Sequence, residues 1–262
     1  MRRLIITLLI LIGVLVAADF AVAAVAESTV SRQMREQIGL VDDPSVRING
    51  FPFLTQALAG RYDSVDVSAQ RISVGELREL EVRAQLRDVT APLGELLGSG
   101  PRTLRVQEAE GTVRVDSRDL ERLLSGVDKL RIDSIDTEML ERAVTTGGEA
   151  SLAEIDPDTA ARLVGTTEVL GQQLEVSVIA VLQLVDGRAQ VVPRDVRLGD
   201  ADSPPLSSSA QRALRELFTL RVDPGSLPLS VTPTTLRAND GTLEISGVTT
   251  DLVLGAAAPT GG

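Results

Sequence analysis

The chain has 262 residues with 26 basic and 37 acidic side chains, and its net charge of −11 argues against a nucleic-acid partner. It contains neither Cys nor His, which excludes disulfides, thiol nucleophiles, imidazole bases and Cys/His metal centres. Aromatic residues make up only 2% and Trp is absent, so Leu, Val, Ile and Ala must build the core.

Arg2 and Arg3 precede an apolar run, Leu4 to Ala18, broken only by Thr7, and small residues follow at Ala21, Ala23, Ala24 and Ala26. This is an export leader, and residues 1–26 read as a signal peptide or a signal anchor. Ala21-Val22-Ala23 and Ala24-Val25-Ala26 both fit a small-x-small cleavage site. Leu4 to Ala26 as one helix would also reach about 35 Å, enough for a bilayer core of roughly 30 Å. Asp19 argues against a deep span. The paired arginines hold the N-terminal side in the cytoplasm, so the rest of the chain is expected outside it, released or anchored. Residues 27–39 read as an amphipathic helix with Val30, Met34 and Ile38 on one face, stopped by Gly39 and Asp42-Asp43-Pro44.

A single domain is expected over residues 40–255, organised around Val46 to Val74. Val46 and Ile48, then Val65 and Val67, alternate with polar residues as half-buried strands do. Between them Phe51, Phe53 and Tyr62 lie in one short connection, and Gly50 and Pro52 set its bend. Leu54 to Ala59 fits one helical turn. The rings either plug one end of a core or form an apolar lip at a ligand mouth or membrane surface. Further strands follow at Ile72–Val74 and Leu80–Leu86, and Ala91 to Pro101 reads as a loop or a short turn.

Leu104 and Val106, then Val113 and Val115, read as a strand pair, with Asp116 or Ser117 capping a helix over Leu120, Leu123, Leu124 and Val127. Asp156-Pro157 signals a second capped helix carrying Ala160, Ala161, Leu163 and Val164. Leu170–Leu184 is the longest strand-like run, turned by Asp186-Gly187 into a hairpin with residues 189–198. Ile179 and Val181 make even its polar side apolar at mid-strand, so it is covered twice or lines a cavity on one side. Ser203-Pro204-Pro205 opens a linker, and Ser207 to Ser209 cap a helix bearing Leu214, Leu217 and Phe218. Leu227, Leu229 and Val231 begin a last sheet section, Asn239-Asp240-Gly241 turns a hairpin, and residues 256–262 form a disordered tail.

No catalytic constellation emerges. Asp42-Asp43 and Asp133 with Asp136 are the nearest to a carboxylate dyad or a Ca²⁺ site, and they read better as solvated loop charges or helix caps. No metal and no cofactor is expected.

The leader RRLIITLLILIGVLVAAD, the stretch GFPFLTQALAGRYDSVDV, the phrase EGTVRVDSRDLERLL and the terminal LPLSVTP with LRANDGTLEISG together resemble the LmeA family of actinobacterial phospholipid-binding envelope proteins. The resemblance runs from Arg2 to Val253, and GFPFLTQ is its most specific part. It implies an α+β fold in which an elongated, curved antiparallel sheet wraps around helices, as in lipid-cradling TULIP-like proteins. It also implies non-enzymatic binding or transfer of an anionic phospholipid at the outer face of the cytoplasmic membrane, supporting cell-envelope lipoglycan synthesis of the lipomannan type. Phospholipid, the cytoplasmic membrane and envelope glycosyltransferases are the expected partners. Candidate lipid contacts are Phe51, Pro52, Phe53, Leu54, Tyr62, Ile179 and Val181. Arg47, Arg61 and Arg71 are headgroup candidates, because a guanidinium grips phosphate bidentately. A scaffold that recruits an envelope glycosyltransferase is the alternative, with a carboxylate hydrolase behind it.

Overall fold

Residues 2–38 contain no proline and a single glycine, Gly13, so nothing in the covalent chain interrupts a helix there. A computed structural model of the chain describes residues 2–92, 103–169, 171–199, 203, 206–222 and 232–255. In it, leader and amphipathic segment form one continuous helix, α1 (Arg2–Ile38), ended by Gly39 at φ 65°. Among the described residues α1 alone is long and apolar enough to cross a membrane.

The fold is α+β with curled antiparallel sheets, as the sequence leads one to expect. One sheet has six strands in the order β1 (Ser45–Asn49), β2 (Arg61–Val74), β3 (Leu77–Thr90), β4 (Thr103–Asp116), β11 (Thr242–Gly255), β10 (Thr235–Asn239). The other has five, β5 (Val127–Ser134), β6 (Ala160–Val169), β7 (Gln172–Val185), β8 (Arg188–Leu198) and β9 (Leu220–Val222), side by side in chain order. The helices α2 (Phe53–Ala59), α3 (Ser117–Leu123), α4 (Thr137–Thr145) and α5 (Ser208–Phe218) fill the connections.

Two compact units divide the chain, one of residues 1–70, 82–111 and 248–262, the other of residues 71–81 and 112–247. In the first, α1 runs beside β1 and α2, and Val46 of β1 pairs with Val67 of β2. In the second, the five-stranded sheet carries the core. Residues 176–180 of β7 are all buried, so both faces of that strand are covered. The Ile179 side packs with Leu140, Ala143, Leu152 and Ala160, drawn from α4, the 3-10 turn Ala150–Glu154 and β6.

Both hairpin turns read from the sequence are present: Asp186 and Gly187 take φ 52° and 75° between Val185 and its partner Arg188, and Asn239 pairs with Thr242 across Asp240-Gly241. Asp116 caps α3, its carboxylate accepting the Arg118 amide at 2.9 Å.

Three local expectations are corrected. Residues 104–115 form one strand, β4, and not a strand pair; its buried positions change phase between Val106 and Ala109, and buried Gly111 continues the strand. Asp156 does cap at Pro157, but the turn lasts only Pro157–Thr159, and Ala160–Val169 is strand β6, paired with β5 and β7 on its two edges. The helix after Asp116 stops at Leu123, and Val127 opens β5. The expected loop over residues 93–101, the section around Leu227 to Val231 and the tail from Ala256 lie outside the described residues.

Candidate functional site

The GFPFLTQ stretch is built position by position. Gly50 has φ 105°, which strains any side chain, and a Cβ there would stand 2.5 Å from Gln56 Nε2 and 2.7 Å from Asp63 Oδ2 and would displace both. Phe51 precedes a cis peptide to Pro52 and is 60% exposed. Phe53, two positions on, is 2% exposed and packs on Tyr62 with ring centroids 6.3 Å apart. Thr55 Oγ1 donates back to the Pro52 carbonyl at 2.8 Å, and buried Gln56 accepts the Asp63 amide on Oε1 at 2.9 Å. Gly60, in the left-handed region at φ 64°, closes α2.

Short as it is, α2 is apolar on two sides. Phe53, Gln56 and Ala57 face inward, while Leu54 and Leu58, one turn apart, stay 39% and 87% exposed. Phe51 stacks on Phe20 of α1 at 5.9 Å between ring centroids, and Phe20 is itself 62% exposed. Phe20, Phe51, Leu54 and Leu58 therefore form an exposed apolar surface, continuous with the apolar exposed half of α1 that starts at Leu4.

Pro52 offers no side chain to cap α2, and Asp19 does that work from α1. Its Oδ2 accepts the Phe53 amide and its Oδ1 the Leu54 amide, both at 2.8 Å, with the residue 4% exposed. Eight and twelve residues further along the helix, Glu27 Oε1 accepts the Ile48 amide at 2.7 Å and Ser31 Oγ donates to the Pro44 carbonyl at 2.6 Å. Arg35, the next turn, pairs with Asp43 at 3.1 Å. Sequence reasoning missed these contacts. The signal lay in the carboxylate of Asp19 inside an apolar run, with Glu27, Ser31 and Arg35 at four-residue intervals behind it.

Arg47 and Arg61 are exposed in the same unit as the aromatic bend, and neither forms an ion pair with a described residue. Arg71, also exposed, takes φ 55° and belongs to the second unit. Of the remaining candidates, Tyr62 is 2% exposed, and burial pushes its phenol above the ordinary value. Ile179 lies in the core cluster of the second unit, and Val181 is half-buried two residues along β7.

Several carboxylates have structural employment. Asp136 caps α4 through the Met139 amide at 2.7 Å, and fully buried Asp119 accepts the Arg78 and Glu79 amides at 3.0 and 2.7 Å while pairing with Arg122. Among the described residues no three Asp or Glu side chains gather as a metal site would require.

A sequence model of the LmeA-like phospholipid-binding family matches residues 17–248, starting two positions before Asp19. No curated protein and no solved structure proved similar to the chain. With the family model spanning most of its length, the chain belongs to the LmeA-like phospholipid-binding family.

Proposed function

We propose that this protein binds, and moves or presents, an anionic phospholipid at the outer face of the cytoplasmic membrane, without chemical conversion, in support of envelope lipoglycan synthesis. The observation that carries the reading is the exposed apolar surface of Phe20, Phe51, Leu54 and Leu58, built on the GFPFLTQ stretch of a phospholipid-binding family and continuous with the apolar half of α1. Pro52 completes that surface, and Phe53 and Tyr62 support it from below. Acyl chains need no special chemistry: at about 0.8 kcal/mol per methylene, ten buried methylenes contribute roughly 8 kcal/mol before ordering costs. In a chain of net charge −11 an anionic headgroup needs local cations. Arg47 and Arg61 are proposed for that role, with Arg71 as the candidate of the second unit. Ile179 and Val181 are the lipid candidates of β7.

The deciding experiment is mass spectrometry of lipid extracted from the full-length protein after gentle detergent purification. The expected result is a stoichiometric anionic phospholipid, reduced in an Arg47→Ala, Arg61→Ala double variant. A fully folded protein with no lipid, which instead retains an envelope glycosyltransferase, would replace this reading with the scaffold alternative.

A further inference from the structure

We propose that the leader is retained in the mature protein, with Asp19 as the clip that holds α1 on the folded unit and sets the Phe20 and Phe51 surface at the membrane's outer boundary. The anchoring inference rests on the membrane location proposed above, but not on lipid binding.

A cleavable leader ends in an accessible small-residue site. Here both small-x-small sites, ending at Ala23 and Ala26, lie in the middle of one helix. Contacts to the folded unit flank them on both sides: Asp19 to the Phe53 and Leu54 amides before, Glu27 to the Ile48 amide and Ser31 to the Pro44 carbonyl after. Ala26 itself is buried. Cutting at either site would remove the acceptor of the first α2 amides and the ring that stacks on Phe51. A buried carboxylate holding two backbone donors is also a costly group to place in an apolar leader whose only task is to be discarded.

The dimensions agree. Arg2 to Ala18 rises roughly 26 Å at about 1.5 Å per residue, close to a hydrocarbon core of about 30 Å, and Arg2 and Arg3 can snorkel to the inner headgroups. Asp19 then stands at the outer boundary. Phe20, Phe51, Leu54 and Leu58 come to lie at headgroup depth, the level at which a phospholipid enters or leaves a bilayer.

The test is the N-terminus of the full-length protein isolated from native membranes. Digestion with trypsin should yield the peptide Leu4–Arg32, and most of the protein should resist carbonate extraction. Asp19→Ala should shift a substantial fraction to N-termini at Ala24 or Glu27 and release it from the membrane. Asp19→Asn, which keeps the volume and one carbonyl acceptor, should fall between. A wild-type protein beginning at Ala24 or Glu27 overturns the proposal, as does an Asp19→Ala protein with unchanged melting, N-terminus and membrane retention. If the variants fail to fold, the wild-type N-terminus still decides. Retained α1 without bound lipid would refute lipid binding and leave the anchor standing; a cleaved protein that carries lipid would do the reverse.

Discussion

Replacing Phe53 with Ala removes a ring that is 2% exposed and packed on Tyr62, and the expected cost is about 3–5 kcal/mol in chemical or thermal unfolding. The same change at Phe51, which is 60% exposed, loses little beyond its stack on Phe20 and should cost about 1 kcal/mol or less. Vesicle binding should reverse that order among the folded fractions, with Phe51→Ala the weaker binder. Equal stability losses at the two positions would make Phe51 part of the core. Tyr62 gives a pH test at the same scale. Its hydroxyl is buried with no hydrogen-bond partner among the described residues, and burial raises the phenol's pKa in the folded state. The contribution is therefore fully present below the ordinary value of 10.0 and is lost as pH climbs through the folded value, because only the unfolded chain releases the proton readily. Tyr62→Phe should flatten the alkaline limb of the stability profile and leave neutral-pH stability equal or higher. A wild-type limb no steeper than the variant's would show that the phenol finds water.

At the scale of elements, α4 is held on β8 by one buried cation. Arg197, 2% exposed, donates to Asp195 at 2.6 Å, to Thr146 Oγ1 at 2.5 Å and to the carbonyls of Ala143 and Ser203 at 2.7 and 3.0 Å. It thus satisfies a C-terminal carbonyl of α4 from a neighbouring strand. Asp195→Asn removes the carboxylate that the buried guanidinium meets at 2.6 Å, and the expected loss is about 3–5 kcal/mol in unfolding free energy. Changing Asp195 and Arg197 together to well-packed apolar residues should recover most of it. A single variant as stable as the wild type would mean that water reaches the pair. None of this was legible in the sequence, where VRL of β8 reads as an ordinary strand end and Arg197 as a wet side chain. Burial of a charged residue is decided by what packs over it, and here that is α4, TEMLERAVT, which lies some fifty residues away in the chain. Turns and caps were legible, because Asp186-Gly187, Asp240-Gly241 and Asp116 act through their own backbones. The Asp156-Pro157 cap was read correctly yet followed by a strand, since two-sided pairing of β6 outweighs a local helix start.

For the whole molecule, strands and hairpins followed from alternation and turn residues and the curved α+β class from the family resemblance, but the position of the candidate surface followed from neither. The aromatic bend was legible as a bend; that one ring turns in and the other out depends on Phe20, distant in sequence and inside a segment that reads as a leader. The same long-range logic governs the acidic residues, and it bears on ligand chemistry. A chain with 37 carboxylates and no His or Cys could bind lipid through a bridging Ca²⁺, which links an anionic headgroup to acidic side chains. Two of the carboxylates that the sequence offered are instead engaged: Asp43 by Arg35, Asp136 by the Met139 amide. Asp19 and Asp119 each take two backbone amides, and a carboxylate so occupied is not available to a cation. Lipid retention by the full-length protein is therefore expected to be unchanged after exhaustive dialysis against a chelator, and to weaken when salt screens arginine contacts to the headgroup. Mass spectrometry of extracted lipid before and after dialysis, with and without added Ca²⁺, checks it. Loss of lipid on chelation and recovery with Ca²⁺ would shift the headgroup site from the arginines to an acidic cluster bridged by metal.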